Sequence, residues 1–297
     1  MIMNAILVEH YDAFSQEKGK GNPAGLVLEG ELYTDEEMQK IALKVGFNET
    51  SFVLPSEIAD LRIRYFTPGH EMNLCGHATI ATVYALGSKG LLQNKDQLTI
   101  ETKAGILPIK IVEKASTKYI KMKQVPAQFK SYEGSLKKLA ESIGLEEDDI
   151  EKELPVLYGS TGVWTLLVPI KALASFHKMK PHNEKFPTIL TEIPTASIHP
   201  FCMETINRNA TMHARHFSSP YSGTIEDPVT GTASGVMGAY YAKYINGDLI
   251  NKPIIVEQGQ EIDKDGQVIV DVKKENGVIE VEISGTAVYV DEFIVNL

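Results

Sequence analysis

Two stretches of this chain follow one plan: LRIRYFTPGHEMNLCGHATIATVYALGSKG (61–90) and MHARHFSSPYSGTIEDPVTGTASGVMGAYYAKYING (212–247). Each opens with Arg-x-Phe on a strand-like run, Arg64 and Phe66 in the first, Arg215 and Phe217 in the second. A turn with proline follows (Pro68, Pro220). Then a glycine with small or hydroxylated residues opens a helix: Gly76-His77-Ala78-Thr79, and Gly231-Thr232-Ala233-Ser234. Each helix is expected to end at a glycine, Gly87 or Gly247, and to lead into a strand, QLTIETKAG or KPIIVEQGQ. Two copies are too few for a solenoid. The duplication predicts two αβ units of one design that face each other.

The segments around the copies fit this plan. TDEEMQKIALKVG pairs a capping box, Thr34 with Glu37, with apolar residues at Met38, Ile41, Ala42 and Val45, a helical pattern. AGLVLE, TSFVLP, GILPIKIVE, YIKMKQV, VWTLLVPI, TASIHPFCME, GQVIVDV and GVIEVEIS read as strands. SLKKLAESIG reads as a surface helix, EEDDIEKE (146–153) as a solvated helical face, and VPAQFKSYEG (125–134) as a linker broken by proline. The class is strand-rich α+β, with helices set against curved sheets.

Bulk properties narrow the functions. A net charge of −10 over 297 residues argues against a nucleic-acid binder, which normally shows a basic face. An anionic ligand must therefore be held by local groups. No apolar run reaches the roughly 20 residues that span a bilayer, and two cysteines cannot build a disulfide framework. The N-terminal run MIMNAILVEH reads as a first strand, and the expected location is cytoplasmic.

A glycine at a helix start lets the backbone approach a ligand. The first helical N–H groups have no intrahelical partner and carry partial positive charge. Two such starts, Gly76-His77 and Gly231-Thr232, would form a carboxylate cradle; the plainer reading is tight packing alone. His77 is a candidate donor or proton relay. Zinc is not expected, because Cys75 and His77 lack a second ligand pair. Cys75 is either a small buried hydrophobe or a nucleophile activated by the helix start. Asp227-Pro228 is read as standing where the first copy has Leu74-Cys75, which leaves no second thiol. Glu49, before an apolar strand, and Asp227, ahead of a proline, are the carboxylates of interest; each could instead be a turn or helix-cap residue. His213 and His216 flank Arg215, and one of them reaching the ligand is weighed against a structural role. His199, Cys202 and Trp164 are assigned no chemistry.

Taken together, VEHYDAFSQEKGKGNPAGLVL, NETSFVL, IRYFTPGHEMNLCGHATIA and EDPVTGTASG resemble the PhzF family of phenazine-biosynthesis-type isomerases, in order and over essentially the whole chain. The resemblance implies a diaminopimelate-epimerase-like α+β fold. It would have two pseudo-symmetric domains, each a curved, mostly antiparallel sheet around a central helix, with the active site in the cleft between them. On that basis the domains are 1–124, with a final strand at about 286–297 returning to the first, and 125–285. The family pattern makes Glu49 the proton-transferring acid/base, with His77 and Asp227 as its partners around the substrate. Gly76 and Gly231 supply backbone N–H groups. Thr232 stands where the family usually has serine, and Asn22 with Pro23 in GNPAG is read as a turn shaping the cleft wall. No cofactor and no metal are implied, and a homodimer is expected.

The function expected from these residues is an isomerase that moves a proton between carbons of a small carboxylic acid, a class that includes cyclic, conjugated acids. Two alternatives stand beside it: an α-carbon epimerase or racemase with Cys75 as a second base, and a non-catalytic carboxylate-binding protein.

Overall fold

The computed structural model describes residues 5–93, 95–247, 252–275 and 278–297. Along the chain run β1 (Ala5–Ala13), β2 (Asn22–Val27), α1 (Asp35–Val45), β3 (Glu49–Leu54), β4 (Leu61–Phe66), β5 (Glu71–Met72), α2 (Gly76–Ser88), β6 (Gln97–Thr102), β7 (Gly105–Lys114) and β8 (Thr117–Lys123). There follow β9 (Gln128–Ser131), α3 (Leu136–Ser142), β10 (Leu157–Ser160), β11 (Trp164–Pro169), α4 (Phe186–Ile189), β12 (Ser197–Cys202), β13 (Met212–Ala214), α5 (Gly231–Tyr244), β14 (Ile254–Gln258), β15 (Gly266–Glu275), β16 (Val278–Gly285) and β17 (Ala287–Asn296). The chain divides into two compact units, residues 1–123 with 284–297, and residues 124–283.

In the first unit the strands lie in the order β17-β1-β2-β3-β4-β6-β7-β8, with β5 hooked onto β4. The steps β2/β3 and β4/β6 are parallel and the others antiparallel. The second unit repeats this in β9-β10-β11-β12-β13-β14-β15, with β11/β12 and β13/β14 parallel. A parallel step needs a crossover connection. In each unit the second crossover contains the long apolar helix, α2 or α5.

These helices are central because they are apolar nearly all round. From His77 to Val83 every residue of α2 is buried, and the helix touches β1, β2, β3, β8 and β17. Its polar hydroxyls bond back within the helix: Thr79 Oγ1 donates to the Cys75 carbonyl (2.6 Å) and Thr82 Oγ1 to that of Ala78 (2.7 Å). In α5, glycine lets a strand come close. A methyl at Gly238 would meet Val270 Cγ1 at 2.6 Å, and one at Gly235 would meet Ile283 Cγ2 at 3.1 Å.

Helix α1 is amphipathic. Its Thr34–Glu37 capping box is formed, Gly46 closes it in the left-handed region (φ 73°), and Met38, Ile41 and Ala42 pack with Ile6, Val8, Phe52 and Phe66. The second unit has its own core, in which Leu139, Ile143, Tyr158, Leu166, Phe176, Ile198 and Phe217 meet.

Four local expectations are corrected. The presumed linker holds β9, which pairs with β10 from Ser131↔Leu157 to Gln128↔Ser160; strand pairing overrides the propensity signal of Pro126. Helix α2 runs through Gly87, and Gly90 takes the positive φ instead. Helix α5 stops at Tyr244, where Ile245 and Asn246 both donate to the Tyr241 carbonyl, so Gly247 lies beyond it. Within 146–153 there is a single 3₁₀ turn, Glu147–Asp149, closed by Asp149 bonding the Glu146 N–H.

Candidate active site

In the first unit, β2 begins at Asn22, β3 begins at Glu49 and α2 begins at Gly76. Ala24 is in register with Glu49 on the parallel pair β2/β3, and α2 packs on both strands. That arrangement brings three of the expected residues together around His77. Glu49 Oε2 lies 3.2 Å from His77 Nε2, Asn22 Nδ2 is 3.3 Å from His77 Nδ1, and Cys75 Sγ is 3.5 Å from Nδ1. His77 and Cys75 are buried, Asn22 is fully so, and Glu49 is half-buried. Asn22 is therefore not in a turn: it opens a strand and places its amide against the imidazole.

The electrostatics follow from this packing. Burial by itself lowers the His77 pKa, but the Cys75 sulfur and the Glu49 carboxylate beside it more than offset that and carry it well above the ordinary imidazole value. Burial, together with the Glu49 charge, pushes the Cys75 thiol up. When Nδ1 accepts from the Asn22 amide, the ring proton sits on Nε2, the nitrogen 3.2 Å from Glu49 Oε2. The second proton that the raised pKa favours goes on Nδ1 and requires the amide to turn its oxygen to the ring.

Glu49, Cys75 and His77 each offer a donor atom, all within 4.8 Å of one another. Three donors are the protein's share of a catalytic zinc site. A cation there would need a thiolate and an unprotonated imidazole, and the upward shift of the buried Cys75 thiol works against the first.

The second unit presents Asp227, Gly231 and Thr232 at the start of α5. Asp227 is not the helix cap; the residue in that place is Thr230. The Thr230 hydroxyl donates to Asp227 Oδ2 instead of capping the helix. Cys75, in the same place on α2, also makes no side-chain cap, so both central helices begin without the side-chain acceptor that α1 has. The counterpart of Cys75 is thus Thr230, one residue before the helix-opening glycine, and not Asp227-Pro228.

Gln258, on β14, completes this cluster. Its Nε2 donates to the Asp227 carbonyl (2.8 Å) and to Thr230 Oγ1 (3.3 Å), and its Oε1 accepts from the Thr230 N–H (3.2 Å). Thr161 Oγ1 donates to the Thr232 carbonyl (3.0 Å). Neither Gln258 nor Thr161 is visible as a site residue from the sequence, because what distinguishes them is their partners. The equivalence of KPIIVEQ with QLTIET is the one signal that could mark Gln258, opposite Thr102 in the first copy.

Comparison with known proteins fits this architecture. The model of the phenazine biosynthesis-like protein family, PhzC-PhzF, matches residues 11–292. The chain belongs to the PhzC-PhzF family. A relative in this family from Bacillus subtilis (strain 168), the uncharacterized isomerase YfhB, is 53% identical over 97% of each chain. The crystal structure of a PhzF-family phenazine biosynthesis protein from Bacillus anthracis superposes with a TM-score of 0.97 at 59% identity, over 99% of this chain and 100% of that one. The trans-2,3-dihydro-3-hydroxyanthranilate isomerase of Pseudomonas aeruginosa is 27% identical over 78% of each chain. In fold alone, the chain is also similar to a hydroxyproline epimerase from Agrobacterium vitis (TM-score 0.66, 14% identity, 100% of this chain and 93% of that one), the diaminopimelate-epimerase-like architecture expected above. The names of these PhzC-PhzF relatives support an isomerase.

Proposed function

We propose that the protein is an isomerase that moves a proton between carbons of a small carboxylic acid, with Glu49 as the group that removes and returns it. What supports this most is the 3.2 Å contact of Glu49 Oε2 with His77 Nε2. It couples a carboxylate to a protonatable imidazole at a helix start that has no side-chain cap. His77 holds the carboxylate in place and is positioned to share its proton. N–H groups at Gly76 and Gly231, with the Thr232 hydroxyl and Asp227, would bind the substrate and stabilise charge gathering on its conjugated carboxylate. The reaction named for the Pseudomonas aeruginosa relative, on a dihydro-hydroxyanthranilate, favours a cyclic, conjugated acid as the substrate class. We further propose that the protein acts without a cofactor, as a homodimer, in the cytoplasm; two free, buried cysteines fit a reducing compartment.

The epimerase alternative requires a second base. Cys75 stands close enough to His77 to be one, but its thiol is pushed up by burial and its counterpart is a threonine. The test is NMR-detected deuterium uptake from D2O into a panel of small carboxylic acids that includes cyclic amino-dienes, with wild type beside Glu49→Gln. Relocation of a double bond with uptake at a new carbon supports the isomerase. Uptake at the α-carbon with inversion supports the epimerase. Ligand binding that survives Glu49→Gln, with no exchange in wild type, supports a binding protein.

A further inference from the structure

His199, His216 and Asp227 stand abreast on three neighbouring extended segments of the second unit. Ile198 on β12 and Phe217 exchange both backbone hydrogen bonds (3.0 and 2.8 Å), which sets His199 opposite His216. Phe217 bridges Glu226, and the Asp227 N–H donates to the His216 carbonyl (3.0 Å), which sets His216 opposite Asp227. Directly opposed residues of antiparallel segments share a face, with their Cβ atoms about 5 Å apart. The alternation is visible in the neighbours. Arg215 stacks on Phe217 and forks onto Glu226 (2.8 and 2.6 Å), so these three use the other face.

On the face with Asp227, His199 Nδ1 and His216 Nδ1 are 3.1 Å apart. One nitrogen must donate and the other accept. His199 is fully buried, and its Nε2 has no hydrogen-bond partner among the described residues. A proton on that Nε2 would be an orphaned buried donor, the arrangement proteins most avoid. The proton of His199 therefore belongs on Nδ1, where it is donated to His216. His216 then accepts at Nδ1 and carries its own proton on Nε2. Burial, helped on His199 by the neighbouring imidazole and outweighing on His216 the opposing charge of Asp227, keeps both rings below the usual histidine range.

We infer that His216 is a ligand-contacting residue of the Asp227 cluster, a neutral imidazole held by His199 so that its Nε2–H is offered beside Asp227 to an oxygen of the ligand. This rests on the reading of Asp227 as a substrate-binding residue and deepens it. The acceptor it fits is a hydroxyl, carbonyl or carboxylate oxygen, so the ligand carries an oxygen for Nε2–H in addition to the groups held at the helix start.

Long-range ¹H–¹⁵N spectra of the histidine side chains in the wild-type protein test this directly. They should show His199 as the Nδ1–H tautomer and His216 as the Nε2–H tautomer, both neutral between about pH 6 and 8. In a titration with anthranilate that moves the Gly231 amide, the His216 Nε2 resonance should move with it. Reversed tautomers, or a charged His216, overturn the donor. Movement of Gly231 with His216 unmoved overturns the contact. A failure of the isomerase reading is distinguishable: it appears as exchange that is unchanged in Glu49→Gln, and these spectra do not depend on it.

Discussion

His213 is the counterpart of Arg62, and each faces a glutamate across a parallel strand pair. Arg62 is in register with Glu101 on β4/β6, with Nε 3.6 Å from Oε1 and both side chains partly exposed. His213 is in register with Glu257 on β13/β14, with Nδ1 2.9 Å from Oε1 and neither side chain exposed. The second unit adds Glu261, 3.0 Å from His213 Nε2, and the N–H groups of Ile206 and Asn207 on Glu257. The same position thus holds a surface ion pair in one unit and a buried imidazole between two carboxylates in the other.

That burial has a consequence for pH. Desolvation pulls the His213 pKa down, but its hydrogen bonds to Glu257 and Glu261 win, and the net shift is upward. A raised folded-state pKa stabilises fully below the unfolded value of about 6.5 and is lost as pH rises through the folded value. Glu261 is shifted down, against the effect of burial, by its bond to His213; its contribution is lost as pH falls through that lowered value. Replacing His213 by Gln should cost about 3 kcal/mol. The gap in thermal midpoint from wild type should be widest near about pH 6 and narrow toward about pH 9. A gap independent of pH would contradict this assignment.

Gly238→Ala should destabilise the second unit. Alanine gains about 1 kcal/mol in helix propensity, but the new methyl would sit 2.6 Å from Val270 Cγ1 and 3.1 Å from its Cβ. Overpacking of this kind costs about 1–3 kcal/mol, so a net loss of about 1 kcal/mol is expected in denaturant melts. Adding Val270→Ala should relieve the clash, and coupling between the two substitutions in a double-mutant cycle checks it.

Gln258→Leu removes the donor to the Asp227 carbonyl and the acceptor of the Thr230 N–H. The groups left unpaired should cost about 1–3 kcal/mol, and the start of α5 should lose hydrogen-exchange protection before the rest of that helix. Protection unchanged at Thr230 would show that the amide does not hold this turn.

How much of this was legible in the sequence varies with the kind of interaction. The two central helices are legible because a glycine opening a run of small and apolar residues is a local signal, and it occurs twice. The α1 capping box is local too. The Glu49–His77 pair rests on the family pattern; nothing in NETSFVL or LCGHAT alone says that β3 and α2 start side by side. Asn22 reads as a turn residue because GNPAG is rich in turn formers, yet pairing with β1 makes it a strand. The equivalence of Cys75 with Thr230 is obscured by the different loop lengths before the two helices. His199 and His216 are far apart in sequence, and only strand register brings their rings together. Pairings across the sheet are the part a single sequence does not display.

Cys75→Ala separates two roles for the thiol. If Cys75 packs against His77 without carrying a proton, the variant should keep carbon–hydrogen exchange within about tenfold of wild type. A thiol acting as general base would show a loss of about 10²-fold or more.

The central claim is that Glu49 carries the proton, and the most direct measurement is the rate of deuterium incorporation from D2O into the substrate by wild type, Glu49→Gln and Cys75→Ala side by side. The account predicts a fall of about 10²–10⁴-fold in Glu49→Gln with folding intact, and little change in Cys75→Ala. Exchange that persists in Glu49→Gln and disappears in Cys75→Ala would contradict it and assign the proton to the thiol.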